Sequence, residues 1–118
     1  MEQELKERTK QFALRIMNLV DALPKTTSAS AIGRQIIRSG TSVGANYRAA
    51  CRGRSKAEFI SKLGIVVEEA DETCFWLELI IEGKLLPEAK VQPLLKEADE
   101  LTAIFVSSIK TSQQNQKS

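Results

Sequence analysis

Apolar residues recur at three- and four-residue steps along most of the chain, the spacing of one face of an α-helix and not the alternation of a strand. Leu5, Phe12, Ile16, Leu19 and Leu23 predict a first amphipathic helix over 3–23, stopped before Pro24. Its polar face is mixed and singles out no residue. After the turn "PKTTSAS", whose Ser and Thr residues supply caps, Ala29, Ile32, Ile36, Val43, Tyr47 and Ala50 mark one face of a second helix that ends near Gly53. "SKAE" at 55–58 is a capping box that opens a third helix. There Ile60, Leu63, Val67, Ala70, Cys74, Leu77 and Ile81 hold an alternating 3-4 spacing up to Gly83, which sits where a C′ glycine belongs. Beyond "GKLLPEAK", a fourth helix carries Val91, Leu94, Ala98, Leu101 and Phe105, its regular part starting at Pro93. Short connections make consecutive helices antiparallel neighbours, so the expected fold is all-α: an antiparallel up-and-down four-helix bundle over 1–110, followed by a flexible polar tail at 111–118.

Length and composition agree with one helical domain: 118 residues, 42% hydrophobic and 27% charged, with three prolines. No apolar run reaches the roughly 18 residues of a membrane span, and the first residues carry Glu2 and Glu4 where a signal sequence is basic. The expected location is the cytoplasm, with no membrane contact. Cys51 and Cys74 are too few for a disulfide scaffold and too far apart for a redox pair. The chain has no histidine, the commonest general base and a frequent metal ligand, and its acidic run lacks an "ExxH" pattern. These features argue against an enzyme and against a bound metal or other cofactor.

Charge is segregated along the chain. Seven cations and no acid lie between Lys25 and Ala57, and six acids and no base between Leu63 and Gly83. On the second helix Arg34, Arg38, Arg48 and Arg52 share the direction opposite the apolar face, and Gly40 and Gly44 lie to one side of them, so that another backbone can approach. On the third helix Ile65, Trp76 and Leu79 alternate with Glu69 and Glu72 opposite the heptad seam, the pattern of an interface. Folding 28–83 as a hairpin sets residues whose numbers sum to about 107 at one height: Arg38 by Glu69, and Arg34 by Glu72 or Thr73. Arg34 and Arg38 are thus expected to pair with the acidic strip within the subunit or across a subunit boundary, and Arg34, Arg38, Gly40, Gly44, Ile65, Glu69, Glu72, Trp76 and Leu79 are assigned to a subunit contact. Arg48, Arg52, Arg54, Lys56 and Lys62 gather at the hairpin tip, where Glu58 is the only acid. They read either as phosphate contacts to RNA or DNA or as a solvated helix end.

"RSGTSVGAN" followed by "SKAEFISKLGIVVEEADETCFWLELI" resembles the small four-helix-bundle proteins encoded in intervening sequences of bacterial 23S rRNA genes, a group similar to the accessory variability determinant of diversity-generating retroelements. The resemblance extends over "LLPEAKVQPLLKEADEL" and implies a homopentameric barrel with a positive surface and no established enzymatic activity. For the retroelement relatives it further implies binding to nucleic acid and to a reverse transcriptase. One position departs from the family pattern: Ala49, in "ANYRAACRG", stands where "REA" carries a glutamate, which leaves the tip more basic. Two functions follow as expectations: a nucleic-acid-binding accessory protein, or an assembly scaffold for a polymerase-type protein.

Overall fold

The computed structural model describes residues 1–117, with side chains through 115. Four helices follow one another: α1 (Glu2–Asp21), α2 (Thr27–Cys51), α3 (Lys56–Glu82) and α4 (Glu88–Lys117). They form an up-down-up-down bundle about 51 Å long and 20 Å across, in which α2 packs on α1 and α3, α3 packs on α4, and α1 meets α4 only sparsely. The starts of α2 and α3 are capped as their sequences require: the Thr26 Oγ1 accepts from the Ala29 N–H at 3.2 Å, and the Ser55 Oγ from the Glu58 N–H at 3.1 Å.

Phe12, Ile16, Ile36, Val43, Leu63, Leu77, Ile80, Leu101 and Phe105 fill the core. On α3 the most buried positions are Leu63, Val66, Ala70, Thr73, Leu77 and Ile80, so the seam lies beside the expected one and Val67 and Ile81 flank it. Two neighbours compete for this helix, and facing α2 as well as α4 turns the buried stripe toward Val66 and Thr73. Inside the core the Thr73 and Ser39 hydroxyls are hydrogen-bonded to each other at 2.9 Å across the α2–α3 contact. The seam between α1 and α4 is closed by charge: the Arg8 guanidinium holds Glu97 with two hydrogen bonds, 2.7 and 2.8 Å, and reaches Glu100 at 3.2 Å. Arg8 thereby holds the Glu97 carboxyl below the usual carboxylate range.

Three boundaries depart from the expected ones. α4 begins at Glu88 and runs continuously through Pro93, whose missing N–H frees only the carbonyl of the exposed Ala89. It is helical through Lys117, across the segment expected to be a polar tail; Ser118 lies outside the described residues. At the end of α3 the left-handed residue is Lys84 (φ 55°), while Gly83 is right-handed at φ −80°. The Leu85 N–H donates to the Ile80 carbonyl and the Lys84 N–H to the Ile81 carbonyl, both at 3.0 Å, a Schellman closure with Lys84 at C′. A Cβ on Gly83 would lie 2.8 Å from the Leu79 carbonyl oxygen, which explains why glycine occupies the preceding position. An L-residue in the left-handed region is disfavoured by roughly 1–2 kcal/mol, so Lys84→Gly is expected to raise stability by about 0.5–1 kcal/mol in a denaturant titration.

Candidate nucleic-acid interface

The sequence elements that end α2 and begin α3 put five cations at one end of the bundle. Arg48 lies in the last turn of α2, Arg52 is its C-cap, Arg54 lies in the turn, Lys56 opens α3 and Lys62 stands one and a half turns further on. Arg48, Arg52, Arg54 and Lys56 are exposed and Lys62 is half-buried. None of the five forms an ion pair among the described residues. Arg48 and Arg52 suit the negative end of α2, but Arg54 and Lys56 stand at the positive end of α3, where a cation is disfavoured by a few tenths of a kcal/mol. The helix therefore gives no reason of its own for these two, and Ser55 already takes the Glu58 N–H at the start of α3.

The fold adds acids that the hairpin alone does not show. Because α1 is antiparallel to α2, Glu2, Glu4 and Glu7 come to the same end, so Glu58 is not the only carboxylate there. Glu2 is engaged by Lys6 at 3.1 Å, and Glu7 accepts from the Gln11 side chain at 3.0 Å. α1 also contributes cations that the sequence reading passes over: Lys6 and Lys10 line the same groove as Arg48. Their signal is the edge shared by positions 6, 10 and 13 of α1, which acquires meaning only once α2 is known to lie beside it.

The residues assigned to a subunit contact divide. Arg38 stands level with the acidic strip as the register requires, with Nη1 2.9 Å from Glu69 and Nη2 hydrogen-bonded to Glu72. Glu72 also accepts from the Trp76 indole N–H at 3.1 Å; that bond first, and Arg38 after it, holds its carboxyl below the ordinary range. Arg34 is exposed and has no ion pair among the described residues: Arg38 alone takes the two carboxylates expected to be shared. Gly40 and Gly44 are buried under α1 of the same chain, which is the backbone that approaches them. A Cβ on Gly40 would lie 2.8 Å from Ile16 Cγ1, and one on Gly44 3.1 Å from Thr9 Oγ1. Trp76 and Leu79 are half-buried, with Trp76 packed on the core, whereas Ile65 is 42% exposed and Phe75, not singled out by the sequence, is 50% exposed and edge-on to Trp76.

Both cysteines are free thiols, and burial pushes Cys74 up to about 12, its Sγ donating to Asp99 at 3.3 Å. Cys51 is raised by burial too, against a smaller opposing effect of Tyr47 and Lys6. Among the described residues, no cluster of His, Cys, Asp and Glu side chains could hold a metal ion, and no helix is long and apolar enough to cross a membrane.

Comparison with known proteins places this geometry among relatives. The family model of the 23S rRNA-intervening sequence proteins matches residues 1–107. Among solved structures, a protein of unknown function from Bacteroides thetaiotaomicron VPI-5482, described as from the S23 ribosomal protein family, superposes with a TM-score of 0.83. It is 38% identical, over 89% of this chain and 97% of that one. No curated protein matches the chain.

Proposed function

The chain belongs to the 23S rRNA-intervening sequence protein family, and from that premise we propose that it is a non-enzymatic, homo-oligomeric accessory protein that binds nucleic acid, RNA foremost, through the cations at the α2–α3 turn. One observation carries the reading: Arg38 and Arg8 are taken up by carboxylates, while Arg48, Arg52, Arg54, Lys56 and Lys62 have none among the described residues and converge on one end. Such a cluster contacts phosphates without reading bases, since it offers point and fork cations but no exposed aromatic platform: Tyr47 is buried and Phe59 packs on the core. Oligomerisation, with five subunits as the family resemblance implies, would multiply these ends and raise avidity.

The test is the combined change of Arg48, Arg52 and Arg54 to Ala. Each lost phosphate contact lowers the slope of log affinity against log salt by about 0.7 for a single strand, so the triple variant is expected to lose about 2 from that slope while its mass in solution stays that of the wild type. Unchanged RNA affinity would instead favour a second reading, a scaffold for a partner such as a polymerase-type protein. Ile65 and Phe75, exposed on α3 beside the acids Glu68 and Glu72, are the observation that favours it.

A further inference from the structure

The groove between α1 and α2 lies directly beside the arginine end. It encloses about 200 Å³, and no carboxylate lines it. Ala13 and Ala45 make its apolar floor, Gly44 lets α1 come close, and Lys6, Lys10 and Arg48 stand along its rim. Lys6 and Lys10 are one helical turn apart, about 6 Å along α1, a spacing comparable with that of successive phosphates on an extended strand. Lys10 and Arg48 have no ion-pair partner among the described residues. Lys6 is held by Glu2 at 3.1 Å in a pair whose carboxylate is 61% exposed, the kind of surface pair that a phosphate can displace.

Two threonines also line the groove: Thr9 is buried, with its hydroxyl donating to the Leu5 carbonyl at 2.8 Å, and Thr41 narrows the ligand. Thr41 donates its hydroxyl proton to the Ile37 carbonyl at 2.7 Å, so toward the groove it has only lone pairs to offer. Those lone pairs suit a donor such as a ribose hydroxyl and do nothing for a phosphate oxygen. A floor of methyl groups with acceptors beside it and cations along the rim is the complement of a sugar–phosphate backbone, sugar inward and phosphates outward. A free phosphate would leave the floor and the threonine unused.

We propose that the α1–α2 groove carries the backbone of a bound RNA strand onward from the arginine end, with Lys6 and Arg48 facing each other across one phosphate, Lys10 on the next, and the riboses over Ala13, Thr41 and Ala45. This rests on the RNA-binding reading above and adds α1 to the binding surface. It also gives the strand a direction: along the bundle axis, not across the end.

The experiment is fluorescence anisotropy of a labelled single-stranded RNA with the full chain, comparing wild type, Lys10→Glu, Ala45→Glu and the exposed Lys96→Glu on α4 as a control for net charge. Lys10 and Ala45 are exposed, so both groove variants should keep the wild-type melting curve. Each is expected to weaken binding at low salt about tenfold and to lower the salt slope, while Lys96→Glu changes neither. If wild type binds and the Arg48/Arg52/Arg54 triple variant weakens, but Lys10→Glu and Ala45→Glu bind as wild type does, the groove proposal is overturned and the arginine end stands. If all charge reversals weaken binding equally, the groove is likewise overturned in favour of a diffuse field. Absence of binding by the wild type overturns the underlying reading and the groove together.

Discussion

Gly40→Ala is expected to destabilise the bundle, while Gly64→Ala is expected to stabilise it by about 1 kcal/mol. In a helix interior glycine is worse than alanine by about that amount, so the same substitution should help at both positions if propensity alone decided. It does not decide at Gly40. A new Cβ there would meet three atoms of Ile16, at 2.8, 3.0 and 3.2 Å, and the nearest part of that side chain includes its own Cβ, which has no freedom to swing aside. Ile16 is wholly buried, so relief requires α1 to move off α2. Overpacking of this kind costs roughly 1–3 kcal/mol, and Gly40→Val, which adds branching to the clash, should sit at or beyond the upper end. A Cβ on Gly64, by contrast, has nothing within 4 Å. Denaturant titrations of the three variants check the pair, and a stabilising Gly40→Ala would mean that α1 is not seated on α2 as described.

Phe105→Ala should produce a comparable or larger loss, about 3–5 kcal/mol. Phe105 is fully buried in α4, and its ring lies 5.1 Å from that of Tyr47 on α2, so the cavity would open beneath the last turns of α2, close to the arginine end. Tyr47 is itself buried, and burial raises its phenol above the ordinary range, so no charge on it helps to solvate the void. Both sides of the cavity are apolar and the loss should appear as a lowered denaturant midpoint with an unchanged slope. A loss under about 1 kcal/mol would show that α4 is loosely held over this end.

Local signals served the sequence reading well where a short stretch decides its own structure. Ser55 caps the Glu58 backbone N–H as their spacing requires, and the hairpin register that sets Arg38 beside Glu69 follows from helix rise and one turn position. What the sequence did not disclose depends on neighbours. The two edges of α1 look alike as a string, but Arg8 faces Glu97 and Glu100 on α4 and is neutralised, while Lys6 and Lys10 face the small residues of α2. Gly40 and Gly44 advertise a close approach without saying which backbone makes it, and the subunit's own α1 does. The end of α3 turns on two neighbouring residues: Gly83 carries the expected glycine because the Leu79 carbonyl leaves no room for a Cβ, while the left-handed turn falls one position later, on Lys84. Phe75 escaped notice because it lies roughly a quarter turn from the line through Ile65, Trp76 and Leu79.

The central claim, that the cations at the α2–α3 end hold phosphate, is tested most directly by titrating the full-length wild type with a structured 23S rRNA fragment and with an unrelated duplex over a series of salt concentrations. Five phosphate contacts predict binding at low salt with a log–log slope of about −4 on both ligands, and a tighter constant on one would identify a dedicated target. No binding at low salt, or an affinity indifferent to salt, would contradict the claim.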